Sequence, residues 1–356
     1  MKKSLLGLTV DEIKEEIVAF GEKPFRAAQI YSSLFSGLTF SEMTDLSLSL
    51  RQRLSENFID QPVKIIKTLK SSDGTEKFLF LLDDGNVVEG VKMRYKYGNT
   101  LCVSTQVGCR MNCAFCASGL NGLIRNLISG EILGEVVAVN RYLSGGLKDK
   151  RAITNVVLMG SGEPLDNYDN VVKFLRLLSD KNGINISLRN VSLSTSGLVS
   201  KMYDLANENL PINLTVSLHS PFDEERQKIM PIAKSYKISE ILSACENYFE
   251  KTGRRYIFEY VLIKGENDGI RHADALIRLL KGKPCHVNLI RLNAVKENDL
   301  KSVSEKDAYR FMGILVKGGI SATLRRQMGS DIEGACGQLR RNYIENSEKQ
   351  KEIKGE

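Results

Sequence analysis

Cys109-Arg110-Met111-Asn112-Cys113-Ala114-Phe115-Cys116 is the stretch on which the reading of this sequence turns. Its three cysteines fall within eight residues. A cubane iron–sulfur cluster with one open iron takes three cysteine thiolates and leaves the fourth iron for an outside ligand. A structural zinc site takes four protein ligands instead. Cys102, a short way upstream, supplies a fourth thiolate, so zinc stands as the alternative at this point. Phe115, directly before the last cysteine, is placed to shield one side of a cluster.

C-terminal to the cysteines, short apolar runs alternate with amphipathic stretches. Strands are expected at 155–159, 191–195, 212–218, 257–263, 286–292 and 321–325, with helices between them, among them 170–178 and 238–251. That alternation argues for parallel strands wound with helices. Six or seven units fall short of the eight of a closed barrel. The expected fold class is therefore α/β, an open or partial (β/α)6-type barrel, with functional residues at the C-terminal ends of its strands. Polar groups do follow those strands: Gly160-Ser161-Gly162-Glu163-Pro164, Ser194-Thr195-Ser196-Gly197 and Ser217-Leu218-His219-Ser220. Strand-end turns and helix caps explain the same residues more plainly.

N-terminal to the cysteines, residues 1–62 read as a small helical accessory domain. One helix starts near Val10 and another near Gly21, with Pro24 in its first turn. Residues 63–98 change to a period of two and read as a short β linker, with the turn Asp83-Asp84-Gly85-Asn86 between strand-like runs. The linker carries Glu89 among Val87, Val88 and Val91, where burial would raise its pKa. The barrel is then expected over 99–345, and 346–356 form a charged tail.

Composition narrows the class. Hydrophobic residues at 42% and charged residues at 26% describe a globular chain rather than a disordered one. No run reaches the roughly 18 apolar residues of a spanning helix. The N-terminus turns acidic before a signal core forms, so the expected location is cytoplasmic. Seven cysteines, an odd count without an export signal, argue for metal or catalytic chemistry over a disulfide framework. Three histidines leave little material for histidine-based sites. With 50 basic against 43 acidic residues, the net charge of +7 fits a polyanionic partner without demanding one. Lys92, Arg94 and Lys96 alternate with Met93, Tyr95 and Tyr97. On a strand that gives a cationic face for phosphates and an aromatic face for bases, or simply a solvated face over a packed one. Arg325-Arg326 and Arg340-Arg341 add positive charge around Cys336.

The spacing Cys-x3-Cys-x2-Cys is the signature of radical S-adenosylmethionine (SAM) enzymes. Over nearly its full length the chain resembles the RlmN/Cfr family of radical SAM RNA adenine methyltransferases. The resemblance rests on 21–30, 101–127 (LCVSTQVGCRMNCAFCASGLNGLIRNL), 160–168 (GSGEPLDNY), 191–198 (VSLSTSGL), 213–220 (NLTVSLHS) and 331–339 (DIEGACGQL). It implies a 4Fe–4S cluster on Cys109, Cys113 and Cys116. It implies SAM contacts at Gly162, Glu163, Ser194, Ser217, Leu218, His219 and Asn293. Cys336 matches the cysteine that becomes S-methylated, Cys102 the one that later bonds to it, and Glu89 the proton acceptor. Two SAM molecules per turnover are implied, one methylating Cys336 and one giving the 5′-deoxyadenosyl radical that takes hydrogen from that methyl group. The implied substrate is adenine C2 in 23S rRNA and in tRNA, the dual-specificity RlmN branch, which the N-terminal match and GEPLDNY favour. C8 methylation of the same ribosomal adenine is the Cfr-like alternative. An electron donor such as flavodoxin or ferredoxin and a monomeric state, with no membrane partner, complete what the resemblance implies. Ser161, Gly334 and Ser220-Pro221 depart from the family's commoner residues. Cys245 and Cys285 read as buried small hydrophobes. A zinc-stabilised RNA-binding protein without catalysis is the reading from another class.

Overall fold

The computed structural model describes residues 2–145, 151–293 and 299–332. Strand β1 (Lys3–Ser4) precedes α1 (Val10–Ala19), whose first turn is fixed by a reciprocal cap. The Glu12 N–H donates to Thr9 Oγ1 at 3.2 Å, and the Thr9 N–H donates to Glu12 Oε2 at 2.7 Å. Helices α2 (Arg26–Phe35) and α3 (Leu48–Asn57) follow. The buried pairs Ile13/Ile17, Ile30/Leu34 and Leu50/Leu54 stand one turn apart, giving each helix one apolar stripe against a shared core. Strand β2 (Phe58–Ile59) pairs in parallel with β1 and ties the two ends of this region together. Because α2 begins at Arg26, Pro24 lies in the turn ahead of the helix, not in its first turn.

Strands β3 (Val63–Lys70), β4 (Glu76–Leu82), β5 (Val87–Tyr95) and β6 (Gly98–Val103) form an antiparallel meander. A hairpin of β7 (Gln106–Gly108) and β8 (Leu123–Asn126) carries the cysteine loop at its tip. There follow α4 (Ser129–Ser144), β9 (Ile153–Leu158), α5 (Tyr168–Ser179), β10 (Val191–Thr195), α6 (Val199–Asn207), β11 (Asn213–Ser217), α7 (Asp223–Ile229), α8 (Ile238–Thr252), β12 (Tyr256–Leu262), α9 (Ile270–Leu280), β13 (Cys285–Arg291), α10 (Glu305–Lys317) and β14 (Ala322–Leu324). One ten-stranded sheet results, in the order β14-β13-β12-β11-β10-β9-β6-β5-β4-β3. The seven strands from β6 to β14 run parallel, and β5, β4 and β3 continue the sheet antiparallel. This is the partial α/β barrel expected of the sequence, and the expected strands fall within a residue or two of the observed ones.

Along β10 and β13 burial alternates: Val191 and Leu193, or Val287 and Leu289, pack under the helices, while Ser192 or Asn288 points to the inner face. The polar inner positions surround a cavity of about 300 Å³ that Asn155, Thr215, Glu259, Asn288 and Arg325 help to line. The β meander shares this inner face. Cys102 sits opposite Val91 in the ladder and packs with Val91, Met93, Val157 and Met159. The two-residue alternation puts Glu89 on that same side. Residues of the other parity, Val88 and Gly90, turn toward Phe80. A Cβ on Gly90 would lie 2.6 Å from the Phe80 ring, so only glycine fits there.

The proposed row of three exposed cations on this meander is corrected by the fold. Lys92 is buried and ion-paired with Glu76 across the β4–β5 ladder, so it cannot meet a phosphate. Arg94 and Lys96 remain exposed.

Past β14, Met328 joins the cluster around Cys102. The turn between β3 and β4 then clasps the chain: the Gly329 N–H donates to Asp73 Oδ2 at 2.8 Å, and Ser71 Oγ and the Ser72 N–H donate to the two Asp331 oxygens at 2.5 and 3.0 Å. Cys336, Arg340-Arg341 and the tail lie outside the described residues. Among the described residues no helix is long and apolar enough to cross a membrane.

Candidate active site

The cysteine loop starts where Gly108 takes φ +80 and Asn112 takes φ +50, two left-handed residues that fold it back on itself. A Cβ on Gly108 would lie 2.0 Å from the Gly122 carbonyl, so the loop's two ends approach as only glycine allows. The Cys109 N–H donates to Gly122 O at 3.0 Å and the Cys116 N–H to Cys113 O at 3.0 Å. The Ala114 N–H donates to Ile229 O at 2.9 Å, which docks the loop on the end of α7. Phe115 packs with Ile229, Ile290 and Leu292, and its ring meets His219 edge-on at 4.6 Å. It thus shields this side of the loop, as expected.

The segment after β9 clamps the cysteine hairpin from the other side. Gln106 Nε2 donates to Asp166 Oδ2 at 2.8 Å and to Asn126 Oδ1 at 2.8 Å. Arg110 pairs with the same Asp166 oxygen at 2.7 Å. Asn167 Nδ2 bridges the Thr105 and Leu127 carbonyls at 2.8 and 2.7 Å. Gly162, at φ +107, lies where a Cβ would press within 2.6 Å of Gln106. Its freedom therefore serves the approach of two protein segments, besides any ligand.

Glu163 is buried. Its Oε2 accepts from the Ser196 N–H at 2.7 Å and its Oε1 from the Leu165 N–H at 3.1 Å, linking the ends of β9 and β10. Burial raises its pKa while those N–H groups oppose the rise. Ser194 and Ser217 are half-buried at the ends of β10 and β11. Asn293 is exposed just past β13. Leu218 reaches the same rim, but its side chain is fully buried and its backbone is engaged: its N–H donates to Glu259 O at 3.0 Å and its carbonyl accepts from Arg226 Nε at 3.1 Å. His219 adopts φ +58, a left-handed conformation held from both sides. Its Nδ1 accepts the Val261 N–H at 3.0 Å and its carbonyl accepts from Asn267 Nδ2 at 2.8 Å.

Burial, aided by the charge of Arg226, lowers the His219 pKa to about 3. The folded state therefore binds its proton less readily than the unfolded chain, with an ordinary value of 6.5. The stability is fully present above pH 6.5 and is lost progressively as the pH falls toward about 3. Denaturant titrations of wild type and His219→Gln between pH 7 and pH 4 are expected to show the wild type losing more stability on acidification. Parallel curves would contradict it.

Arg226 and Lys77 are the two residues that sequence reasoning passed over. Arg226, on α7, is fully buried and binds three carbonyls: Leu218 through Nε, and Ser196 (2.7 Å) and Ser217 (3.0 Å) through Nη2. It ties together the strand ends that form the rim. Lys77, on β4, is buried on the inner face, 3.3 Å from Glu89 Oε2. The two form a buried ion pair across the β4–β5 ladder.

The Radical SAM superfamily profile matches residues 103–277, and that of the ribosomal RNA large subunit methyltransferase N-terminal domain matches 3–59. A probable dual-specificity RNA methyltransferase RlmN of Clostridium novyi (strain NT) is 48% identical over 97% of this chain and 100% of its own length. Its counterpart in Clostridium perfringens (strain 13 / Type A) is 52% identical over 96% of this chain and 98% of its own. The chain belongs to the RlmN family of radical SAM RNA methyltransferases. A crystal structure of a radical SAM methyltransferase from Sphaerobacter thermophilus superposes with a TM-score of 0.90, at 41% identity over 94% of this chain and 98% of that one.

RlmN-family membership implies SAM and a 4Fe–4S cluster, and the donor set fits the cluster. Three thiols lie on one loop, with Cys116 near enough to raise the pKa of both Cys109 and Cys113. Burial first, then the Glu163 and Cys116 charges, pushes Cys109 up to about 12, and burial with Cys116 and Cys109 raises Cys113. Bound iron would reverse this, since thiolates ligate deprotonated. Among the described residues no three His, Cys, Asp or Glu side chains are already gathered for a single metal ion. Cys245 and Cys285 are buried, Cys245 in the main core, and burial raises both pKa values, Cys285 to about 11.

Proposed function

We propose that the chain methylates C2 of an adenine in 23S rRNA and in tRNA, with Cys336 as methyl carrier. Cys109, Cys113 and Cys116 hold the cluster, and Gly162, Glu163, Ser194, Ser217, Leu218, His219 and Asn293 form the SAM pocket. Together, the bound cluster and SAM supply a 5′-deoxyadenosyl radical. The Cys336 thiolate accepts the methyl group that becomes the bridge to the base. Glu89, paired with Lys77, takes the proton from the adduct. Cys102, as the thiolate, then attacks the Cys336 sulfur: a disulfide forms as the carbon–sulfur bond to the product breaks, the freed carbon takes up a proton to become the methyl group, and the adduct's unpaired electron leaves to the redox partner.

The observation that carries this reading is that Glu89 and Cys102 share the inner face of the barrel sheet, beside Val91 and Met159. The residues 1–62 serve as the RNA-holding accessory domain, 63–98 as the linker that bears Glu89, and 99–345 as the catalytic barrel. Arg26 over the exposed Phe25 ring (4.9 Å) and Arg53 over Phe20 (4.4 Å) offer phosphate- and base-binding groups on the first of these. The protein acts as a cytoplasmic monomer, reduced by a flavodoxin or ferredoxin. Treating unmodified 23S rRNA and tRNA with the anaerobic enzyme and locating the methyl by mass spectrometry and NMR is expected to give 2-methyladenine. An 8-methyladenine product would overturn the C2 assignment.

A further inference from the structure

Arg226 is a buried cation with part of its hydrogen-bonding capacity unused. A guanidinium carries five N–H groups. In Arg226 the Nε and Nη2 groups reach three carbonyls, whereas Nη1 is buried with no partner among the described residues. A buried charged donor left unpaired is costly, so such a group calls for an acceptor that completes the site. The acceptor must lie in the low-dielectric space next to α7. Two observations point to the cysteine loop. The loop is docked on α7 through the Ala114–Ile229 hydrogen bond, and Arg226 and Cys113 interact electrostatically. Its other neighbours include Gly197, whose Cβ position lies 3.4 Å from Nη2, and the side chains of His219 and Asp223, which also interact with its charge.

We infer that Arg226 donates through Nη1 to the sulfur at the Cys113 corner of the cluster, and that its charge favours the reduced cluster. This rests on the proposed ligation by Cys109, Cys113 and Cys116. An iron–sulfur cluster gains negative charge on reduction, and hydrogen bonds to its sulfurs and nearby charge set its potential. Arg226 therefore acts as a positioning and tuning residue rather than a catalytic one. It holds the rim carbonyls with three N–H groups and offers the other two to the cluster.

The test uses wild-type protein grown with 15N-arginine, purified without air and reduced. Iron analysis comes first: a protein without iron rejects the cluster ligation itself and leaves Arg226 no such partner. With iron present, pulsed electron paramagnetic resonance is expected to show a hyperfine coupling that depends on the arginine label and persists when Arg110 is replaced by Lys. Its absence overturns the contact. Potentiometric titration supplies the second readout. Arg226→Met is expected to shift the midpoint to more negative values, and Arg226→Lys, which keeps the charge, to stay near wild type even where its thermal stability falls. Equal midpoints in wild type and an iron-loaded Arg226→Met protein overturn the tuning role. Should Arg226→Met not accumulate folded, the labelled wild-type measurement decides.

Discussion

Cys113→Ala protein purified without air is expected to lose most of its iron and to cleave SAM at least about a thousandfold more slowly, a barrier increase of about 4 kcal/mol. The reason is ligand arithmetic. Three thiolates from one loop leave one iron open; two leave a second iron without a protein ligand. Cys109→Ala and Cys116→Ala should behave alike. Cys245→Ala is the control, because Cys245 lies on the buried face of α8, in the main core. It should keep iron and activity and lose only the stability of a small buried group. Metal analysis and the visible spectrum measure the iron, 5′-deoxyadenosine release the SAM cleavage, and thermal denaturation the stability. A brown Cys113→Ala protein with full iron and wild-type SAM cleavage would refute the ligation. A wild-type protein holding one zinc and no iron would favour the non-catalytic alternative.

The second large effect is expected at the buried pair. Glu89→Gln removes the proposed proton acceptor and should slow RNA methylation by about 10²–10⁴, the usual contribution of a positioned acid or base. It also removes the charge of one partner of the buried Lys77 ammonium, so stability is expected to fall as well. Activity and stability would therefore fall together and prove little. The double variant Lys77→Met/Glu89→Gln separates them. With both charges gone, stability should return toward wild type, while RNA methylation stays lost. Methyl transfer from SAM to Cys336, read by mass spectrometry of the protein, should continue in both variants, since Glu89 acts after it in the proposed sequence. Wild-type RNA methylation by the stabilised double variant would remove Glu89 from the mechanism.

The barrel was legible because its strands are short apolar runs between turn signals and its helices carry long apolar stripes. β10 falls at the expected residues because Arg189-Asn190 and Ser196-Gly197 bracket Val191–Thr195. The β7–β8 hairpin was not legible, since three wholly buried residues and four partly exposed ones carry no period. Lys92 misled because alternation along a strand predicts which side a residue faces, but not that the outer side is itself covered and holds a buried Glu76. Arg226 gave no warning. In Asp223-Glu224-Glu225-Arg226 it reads as one more charge on a solvated helix, and only the fold turns it inward over the rim carbonyls. Lys77 stands next to the run Phe78-Leu79-Phe80 and could have been flagged as a buried charge awaiting a partner. Its partner, twelve residues further along, is set by the β4–β5 register. The cysteine loop was legible in kind, yet its clamp by Asp166 and Asn167 arises from side-chain hydrogen bonds that no spacing reveals.

The continuity of the sheet has a practical consequence for anyone dividing this chain. A fragment starting at residue 99 would keep the cysteine motif and every parallel strand, yet strip β6 of its antiparallel neighbour. Leu101 and Val103, fully buried in the intact protein, would border an unprotected sheet edge, a template for intermolecular pairing. The superfamily match at 103–277 thus falls short of the structural unit, whose sheet continues through the meander to β3 at residue 63.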